Sequence, residues 1–317
     1  MSKAAAVGRK TVRLANSIVN SAVLFVILLL LVFGCYAIWD SGKVHNDADA
    51  SVYEIYKPTD ENDALSFKEL QLINPDVFAW LTIYGTHIDY PVVQGKDNME
   101  YINTDAEGHY SLSGSIFLDS KCSRDFTDFS NIFYGHHMEK QAMFGEIGSF
   151  SDQEYFDARR YGVLYYDGRK HGLEFFALVH ADAYDKKVFR TRITEATEQQ
   201  LYLDKLKKTA LHIRDDVRVT TADRLVLLTT CSDATTNGRD ILIGRITNEI
   251  HTDPFKMDET NGSNGLLSLG VLAGLWEKAP LVIKIILAAL PFLLILLAVI
   301  LIKKKMQKTG KERIRTK

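Results

Sequence analysis

The chain has 317 residues, with 38 lysines and arginines against 40 acids, for a formal charge of −2. That near-neutral total hides an acidic middle: residues 40–279 hold 25 basic and 39 acidic side chains, a formal −14. This balance argues against nucleic acid or another polyanion as a partner, and about 240 residues are enough for one well-cored domain.

Residues 1–16 form a basic arm with Lys3, Arg9, Lys10 and Arg13 and no acid. Residues 17–39 are apolar and uncharged, long enough to cross ~30 Å of hydrocarbon as a helix. This apolar stretch exceeds the ~7–15 residues of a cleaved signal, and Phe33-Gly34-Cys35-Tyr36-Ala37-Ile38-Trp39 makes a poor cleavage site, so an uncleaved anchor is expected. Residues 40–64 are polar and read as a stalk. A rough helical stripe runs from Leu65 to Leu72 and ends at Ile73-Asn74-Pro75-Asp76. Strands follow at Phe78–Ile83 and His87–Tyr90, and Pro91 demotes Val92-Val93 to an edge or strand end. Gly114–Asp119 and Ser130–Tyr134 are the next strands.

Residues 142–160 read as helical and loopy, with Met143, Phe144, Ile147 and Phe150 on the apolar face. Tyr161–Tyr166, an Asp167-Gly168 turn and Leu173–Val179 make a hairpin. The long amphipathic helix covers Thr194–His212, with a capping box at Thr197-Glu198-Gln199-Gln200 as an alternative start and Leu203, Leu206, Ala210 and Ile213 as its stripe. The last two strands lie within Arg218–Thr230 and Arg239–Ile250. Many short strands and one late helix predict a mainly β domain over residues 65–252, a closed β-barrel with helical decoration. Residues 253–279 are a linker. Residues 280–302 form a second apolar span, interrupted by Lys284 and Pro291, and residues 303–317 a basic tail whose only acid is Glu312. Basic flanks at both ends predict a two-pass membrane protein with cytoplasmic termini and an extracellular middle.

Three cysteines make no disulfide framework, although a Cys122–Cys231 bridge is open to an oxidising compartment. Leu225-Val226-Leu227-Leu228-Thr229-Thr230 delivers Cys231 to a strand end. Ser130–Tyr134 carries His136 out of another strand, and Arg239 opens the strand after Cys231. A thiol, an imidazole and a guanidinium at strand ends can form a nucleophilic acyl-transfer site. His137 competes with His136, and Arg245 with Arg239. Asp233 reads as a solvated loop acid or a partner for His136. Zinc held by His136, His137 and Cys231 would lack paired ligand spacing, so no metal is expected.

These stretches resemble the sortases, class B of that family above all. The resemblance spans roughly Leu65 to Ile250. It rests on Asn74-Pro75-Asp76-Val77-Phe78-Ala79-Trp80-Leu81, Ile88-Asp89-Tyr90-Pro91-Val92-Val93-Gln94-Gly95 and Gly114-Ser115-Ile116-Phe117-Leu118-Asp119. It continues through Tyr134-Gly135-His136-His137, Met143-Phe144-Gly145 and Leu228-Thr229-Thr230-Cys231. It implies a sortase-type barrel and a cysteine transpeptidase that needs no cofactor. Cys231 would then be the nucleophile, His136 the acid and base, and Arg239 the ligand of an oxyanion or substrate backbone. Asn98, Ile102, Thr229, Thr230 and Ser232 would line the substrate groove.

The implied partners are surface proteins with a C-terminal sorting signal, an amine on cell-wall peptide or pilin, and membrane lipid. Class B members usually carry only the N-terminal anchor. A second, C-terminal span is more typical of the pilin-polymerising class C, so both acceptors stay open. Asp253-Pro254-Phe255 is similar to a class C lid motif but lies after the core and reads as coincidence. The alternatives are a catalytically silent, membrane-tethered module that binds sorting-signal peptides, and a plain cysteine peptidase.

Overall fold

A computed structural model of the chain describes residues 3–58, 64–231 and 237–256. Helix α1 (Lys3–Asp47) is followed by a 3₁₀ turn (Ala50–Tyr56) and α2 (Ala64–Ile73). Strands β1 (Val77–Ile83), β2 (Asp89–Val93), β3 (Ile116–Leu118) and β4 (Ser130–Tyr134) come next. A 3₁₀ segment (Gly145–Ser151) and α3 (Gln153–Ala158) lead to β5 (Tyr161–Tyr166) and β6 (Arg169–Asp182). The described fold ends with α4 (Ala196–Thr209), β7 (Ala210–Ile213), β8 (Leu225–Cys231) and β9 (Gly238–Thr247).

The strands lie in the order β5-β1-β2-β3-β4-β8-β9-β6, and pairing of β5 with β6 closes them into an eight-stranded barrel. The 14-residue β6 makes closure possible by dividing one edge between two partners. Residues Arg169–Glu174 pair with β5, Ala177–Val179 pair with β7, and the other edge follows β9 along its length. Closure removes exposed edges from all barrel strands. The β5–β6 hairpin turns through Asp167 (φ 51°) and Gly168 (φ 74°), the positive pair that a tight two-residue turn demands.

Alternation splits the core in two. Phe133, Val226, Leu228 and Leu242 join one buried cluster with residues of β1, β2 and β5. Ile132, Leu225, Leu227, Ile241 and Ile243 join a second, under Tyr202, Leu203 and Leu206 of α4. Buried side chains at ~1.5–3 kcal/mol each explain why these strands are nearly all apolar.

Several expectations need correction. Pro91 sits inside β2, opposite Trp80, and β2 is not an edge. The missing N–H is tolerated because parallel pairing to β3 starts only at Val92. The late helix starts after Glu195, so Thr197 lies inside it and the capping box is not used. Its C-cap, Ala210, turns extended (ψ 134°), so Ala210 and Ile213 belong to β7 rather than the helical stripe. The strand expected within Arg218–Thr230 starts at Leu225 and runs one residue further, to Cys231. Part of the polar stalk packs on the barrel. Ala48 and Tyr53 are buried, the Tyr90 hydroxyl donates to the Ala48 carbonyl at 2.8 Å, and Lys57 pairs with Asp89.

Phe255 crowds the β1–β2 turn, where a Cβ on Gly85 would lie 2.5 Å from its ring. Within α1, Leu14–Gly42 is long and apolar enough to cross a membrane. The second apolar run at 280–302, its tail and most of the 253–279 linker lie outside the described residues.

Strand β9 is pinned by a double fork. Glu174 Oε1 pairs with Arg160 at 2.8 Å, and Oε2 pairs with Arg245 at 2.7 Å. Burial pushes the Glu174 carboxyl up, but hydrogen bonds from Arg245 and Arg160 outweigh it and hold the pKa below the ordinary value. A depressed folded-state pKa contributes stability above the unfolded value of ~4.3 and loses it as pH falls through the folded value. Glu174→Gln should therefore cost about 3 kcal/mol at pH 7 in urea unfolding. The gap between variant and parent should narrow below about pH 4. A pH-independent gap would contradict this account.

Candidate active site

Strand pairing, by itself, gathers the three residues singled out for chemistry. β4 and β8 run parallel, with Tyr134 opposite Thr229, and Gly135 N–H donates to the Thr229 carbonyl at 3.3 Å. His136 and Cys231 each come two residues beyond that pair. β9 returns antiparallel to β8 and places Arg239 directly opposite Cys231. The β8 end therefore lies between the histidine and arginine segments. Ser232 and Asp233 lie outside the described residues.

Beside these ends runs a groove of about 310 Å³. Ile102, Phe117, Tyr134 and Gly135 form its apolar part, and Asn98, His136, Thr229, Thr230 and Arg239 its polar part. Thr229 and Thr230 are buried, and their hydroxyls have no hydrogen-bond partner among the described residues. The Phe117 and Tyr134 rings meet with centroids 5.2 Å apart.

His136 Nε2 lies 2.8 Å from the Ile102 carbonyl. A carbonyl only accepts, so Nε2 donates, and in the neutral ring Nδ1 holds the lone pair. Ile102 thus contributes its backbone as well as its side chain. Gly114 (φ +59°) makes room for that carbonyl: a Cβ there would lie 2.4 Å from Ile102 O. The rival residues are placed elsewhere. His137 pairs through its backbone with Met143, and Arg245 is held by Glu174 six residues along β9. Arg239 donates to the Gly238 carbonyl at 3.0 Å from the mouth of the groove.

Cys122 cannot bridge to Cys231. Its buried Sγ lies 3.6 Å from the Ser130 carbonyl, at the start of β4, where Ser130 pairs with Leu225. Six residues of β8 separate that level from Cys231, or about 20 Å at ~3.3 Å per residue. Burial pushes the Cys122 thiol up to about 12, so it is inert at neutral pH. Among the described residues no cluster of three or more possible metal ligands occurs. A larger cavity of about 420 Å³ lies between Ala50–Glu54 and the β1–β2 turn. Its Asp89 is already taken up by Trp80, Thr82 and Lys57.

No family model matches the chain. Sortase B of Staphylococcus aureus is 32% identical over 184 residues, covering 57% of this chain and 74% of that protein. The chain belongs to the class B sortases. It is therefore a cysteine transpeptidase, which displaces the silent binding module. The crystal structure of sortase B from the Type II pilus of Streptococcus pneumoniae is 44% identical to this sortase (TM-score 0.51), covering 58% of this chain and 99% of that one. A class B sortase of Streptococcus pyogenes involved in pilus biogenesis is 40% identical (TM-score 0.53), covering 58% and 100%.

Sequence reasoning missed the groove's supporting residues. Tyr134, Gly114 and Asp119 stood inside the family-like stretches with no role attached. Gly114 meets Ile102 from 12 residues away, and Asp119 meets Asn98 from 21 and Tyr134 from 15, contacts that only folding makes.

Proposed function

We propose that Cys231 is the nucleophile, His136 the acid and base, and Arg239 the oxyanion ligand of a transpeptidase that joins pilin subunits at the cell surface. The observation that carries this reading is the strand register, with Arg239 opposite Cys231 on one side of β8 and the His136 segment on the other.

The Cys231 thiolate attacks the carbonyl carbon of a sorting-signal residue, and the oxyanion forms beside the Arg239 guanidinium. His136 gives a proton to the departing amine as the peptide bond breaks, leaving a thioester. The acceptor amine attacks that thioester, His136 takes its proton, and the thiolate leaves as the new amide forms. Asn98, Ile102, Thr229, Thr230 and Ser232 hold the peptide. Residues 65–252 are the catalytic domain. Residues 17–39 and 280–302 anchor it in the membrane, with residues 1–16 and 303–317 in the cytoplasm.

Pilin is favoured because two class B structures described with pili are 44% and 40% identical to this chain. The test offers the detergent-solubilised full chain a threonine-containing peptide library with two competing acceptors: a pilin-derived lysine peptide and an oligoglycine wall peptide. Mass analysis should show the lysine isopeptide in at least about tenfold excess, which corresponds to ~1.4 kcal/mol. An excess of the glycine product would overturn the pilin assignment. Free acid without either amide would overturn transpeptidation in favour of a plain peptidase.

A further inference from the structure

The groove has a buried carboxylate behind it that the acyl-transfer steps do not use. Asp119, just past β3, is 5% exposed. Its Oδ1 accepts from the Lys121 N–H at 2.9 Å. Its Oδ2 accepts from Asn98 Nδ2 at 2.8 Å and from the Tyr134 hydroxyl at 3.0 Å. Its backbone carbonyl accepts from Gln94 Nε2 at 2.9 Å, and Gln94 is held in turn by Arg124 Nε at 3.1 Å. Asn98 and Tyr134 line the groove; Asp119 stands behind them.

This network allows Asn98 one orientation. The Ser120 N–H points at the Asn98 oxygen from 2.8 Å, and a backbone N–H can only donate. The Asp119 carboxylate accepts, so nitrogen must face it. A flipped amide would set donor against donor and acceptor against acceptor, each leaving a partly buried polar group unpaired. One Nδ2 hydrogen goes to Asp119. The other has no acceptor among the described residues. Tyr134 offers no alternative donor, because its single hydroxyl hydrogen also goes to Asp119. Burial first, and then the Asp119 charge, hold that phenol well above its ordinary pKa, so it stays protonated.

We propose that Asp119 is a positioning residue for substrate selection: through Asn98 it aims an amide N–H into the groove, where it binds a carbonyl oxygen of the sorting-signal peptide. The inference rests on the reading of the groove as the peptide site. A donor held by two internal hydrogen bonds loses little freedom when the peptide arrives, so the bond is made in the bound ground state and acts on KM rather than kcat.

The test uses the full chain in detergent, a threonine-fixed hexapeptide library with randomised flanks, and hydroxylamine as acceptor. KM and kcat are then measured with the library member that gives the highest yield. Asp119→Asn should raise KM about tenfold and leave kcat within about twofold. The swapped pair, Asn98→Asp with Asp119→Asn, separates positioning from scaffolding. The amide now at position 119 donates to the carboxylate now at position 98, and that carboxylate still accepts from the Ser120 N–H. The pair and the Ser120 N–H are satisfied again, and the Tyr134 hydroxyl, which can no longer donate to position 119, accepts the second amide hydrogen there; the atom of residue 98 that faces the groove accepts instead of donating.

A swap that recovers the parent Tm and keeps the raised KM supports the proposal. A swap that recovers both makes Asp119 a scaffold only and overturns it, as does an unchanged KM in Asp119→Asn. Enrichment of Asn or Gln over Leu or Met at one library position, lost in the swap, assigns the bound oxygen to a side-chain amide. A raised KM with no such enrichment assigns it to the peptide backbone. Parent chain that forms no Cys231-dependent hydroxamate would fail earlier, at the assignment of the site itself.

Discussion

Replacing Cys231 with alanine should abolish peptide joining, with a fall of roughly 10⁴-fold or more in the rate of amide formation. The size follows from the chemistry. Without the sulfur there is no thioester, and the amine would have to attack an unactivated peptide bond directly. The measurement is product mass from peptide and acceptor amine, with parent and variant at equal concentration. A second readout is labelling by a sorting-signal peptide that bears an electrophile. Parent protein should take up one equivalent and Cys231→Ala none. Cys122 does not confuse the result, because its thiol is buried and pushed up to about 12. Cys231 ends β8, so the variant should keep the parent Tm within about 2 °C. Undiminished amide formation in Cys231→Ala would end the proposed mechanism, whatever becomes of the groove.

The second large effect is expected at Arg239. Arg239→Ala should lower kcat by about 10²–10³-fold with a much smaller change in KM, because the guanidinium meets charge that develops only in the transition state. Arg239→Lys should recover part of that loss and no more. An ammonium keeps the charge but lacks the planar fork that can serve a backbone carbonyl and an oxyanion together. Arg239 already donates to the Gly238 carbonyl at 3.0 Å, so its head is partly oriented before substrate arrives. The check is a kcat and KM pair for each variant. A loss below tenfold in Arg239→Ala, or full recovery by lysine, would remove Arg239 from the oxyanion role. Arg245→Ala serves as the contrast. It should lower stability through Glu174 and leave kcat near the parent value.

Different parts of the fold were legible for different reasons. The β5–β6 hairpin was readable because Asp167-Gly168 has the turn chemistry that two flanking apolar runs require, a purely local matter. β4 could be placed to the residue, since Ile132-Phe133-Tyr134 is a run of strand formers closed by Gly135. The end of α4 could not. Ala210 and Ile213 continue a helical stripe in sequence, but the chain gains more by pairing with β6 than by another helical turn, and that competition is tertiary. Pro91 marked the strand end correctly, with Val92-Val93 the last residues of β2, but not an edge. A proline is costly only where its N–H is needed, and at β2 the β3 pairing starts one residue later.

The sequence alone determined the chemistry. One thiol, one imidazole and one guanidinium at strand ends pointed to acyl transfer, and the family-like stretches around them named a cysteine transpeptidase, because those short runs are local patterns the chain carries before it folds. The tertiary structure alone decided how those groups are served: the parallel β4–β8 register, the Ile102 carbonyl that orients His136, and the Asp119 carboxylate behind Asn98. These are contacts between segments remote in the chain. Their energies exist only once the barrel has closed, so no local pattern of residues records them.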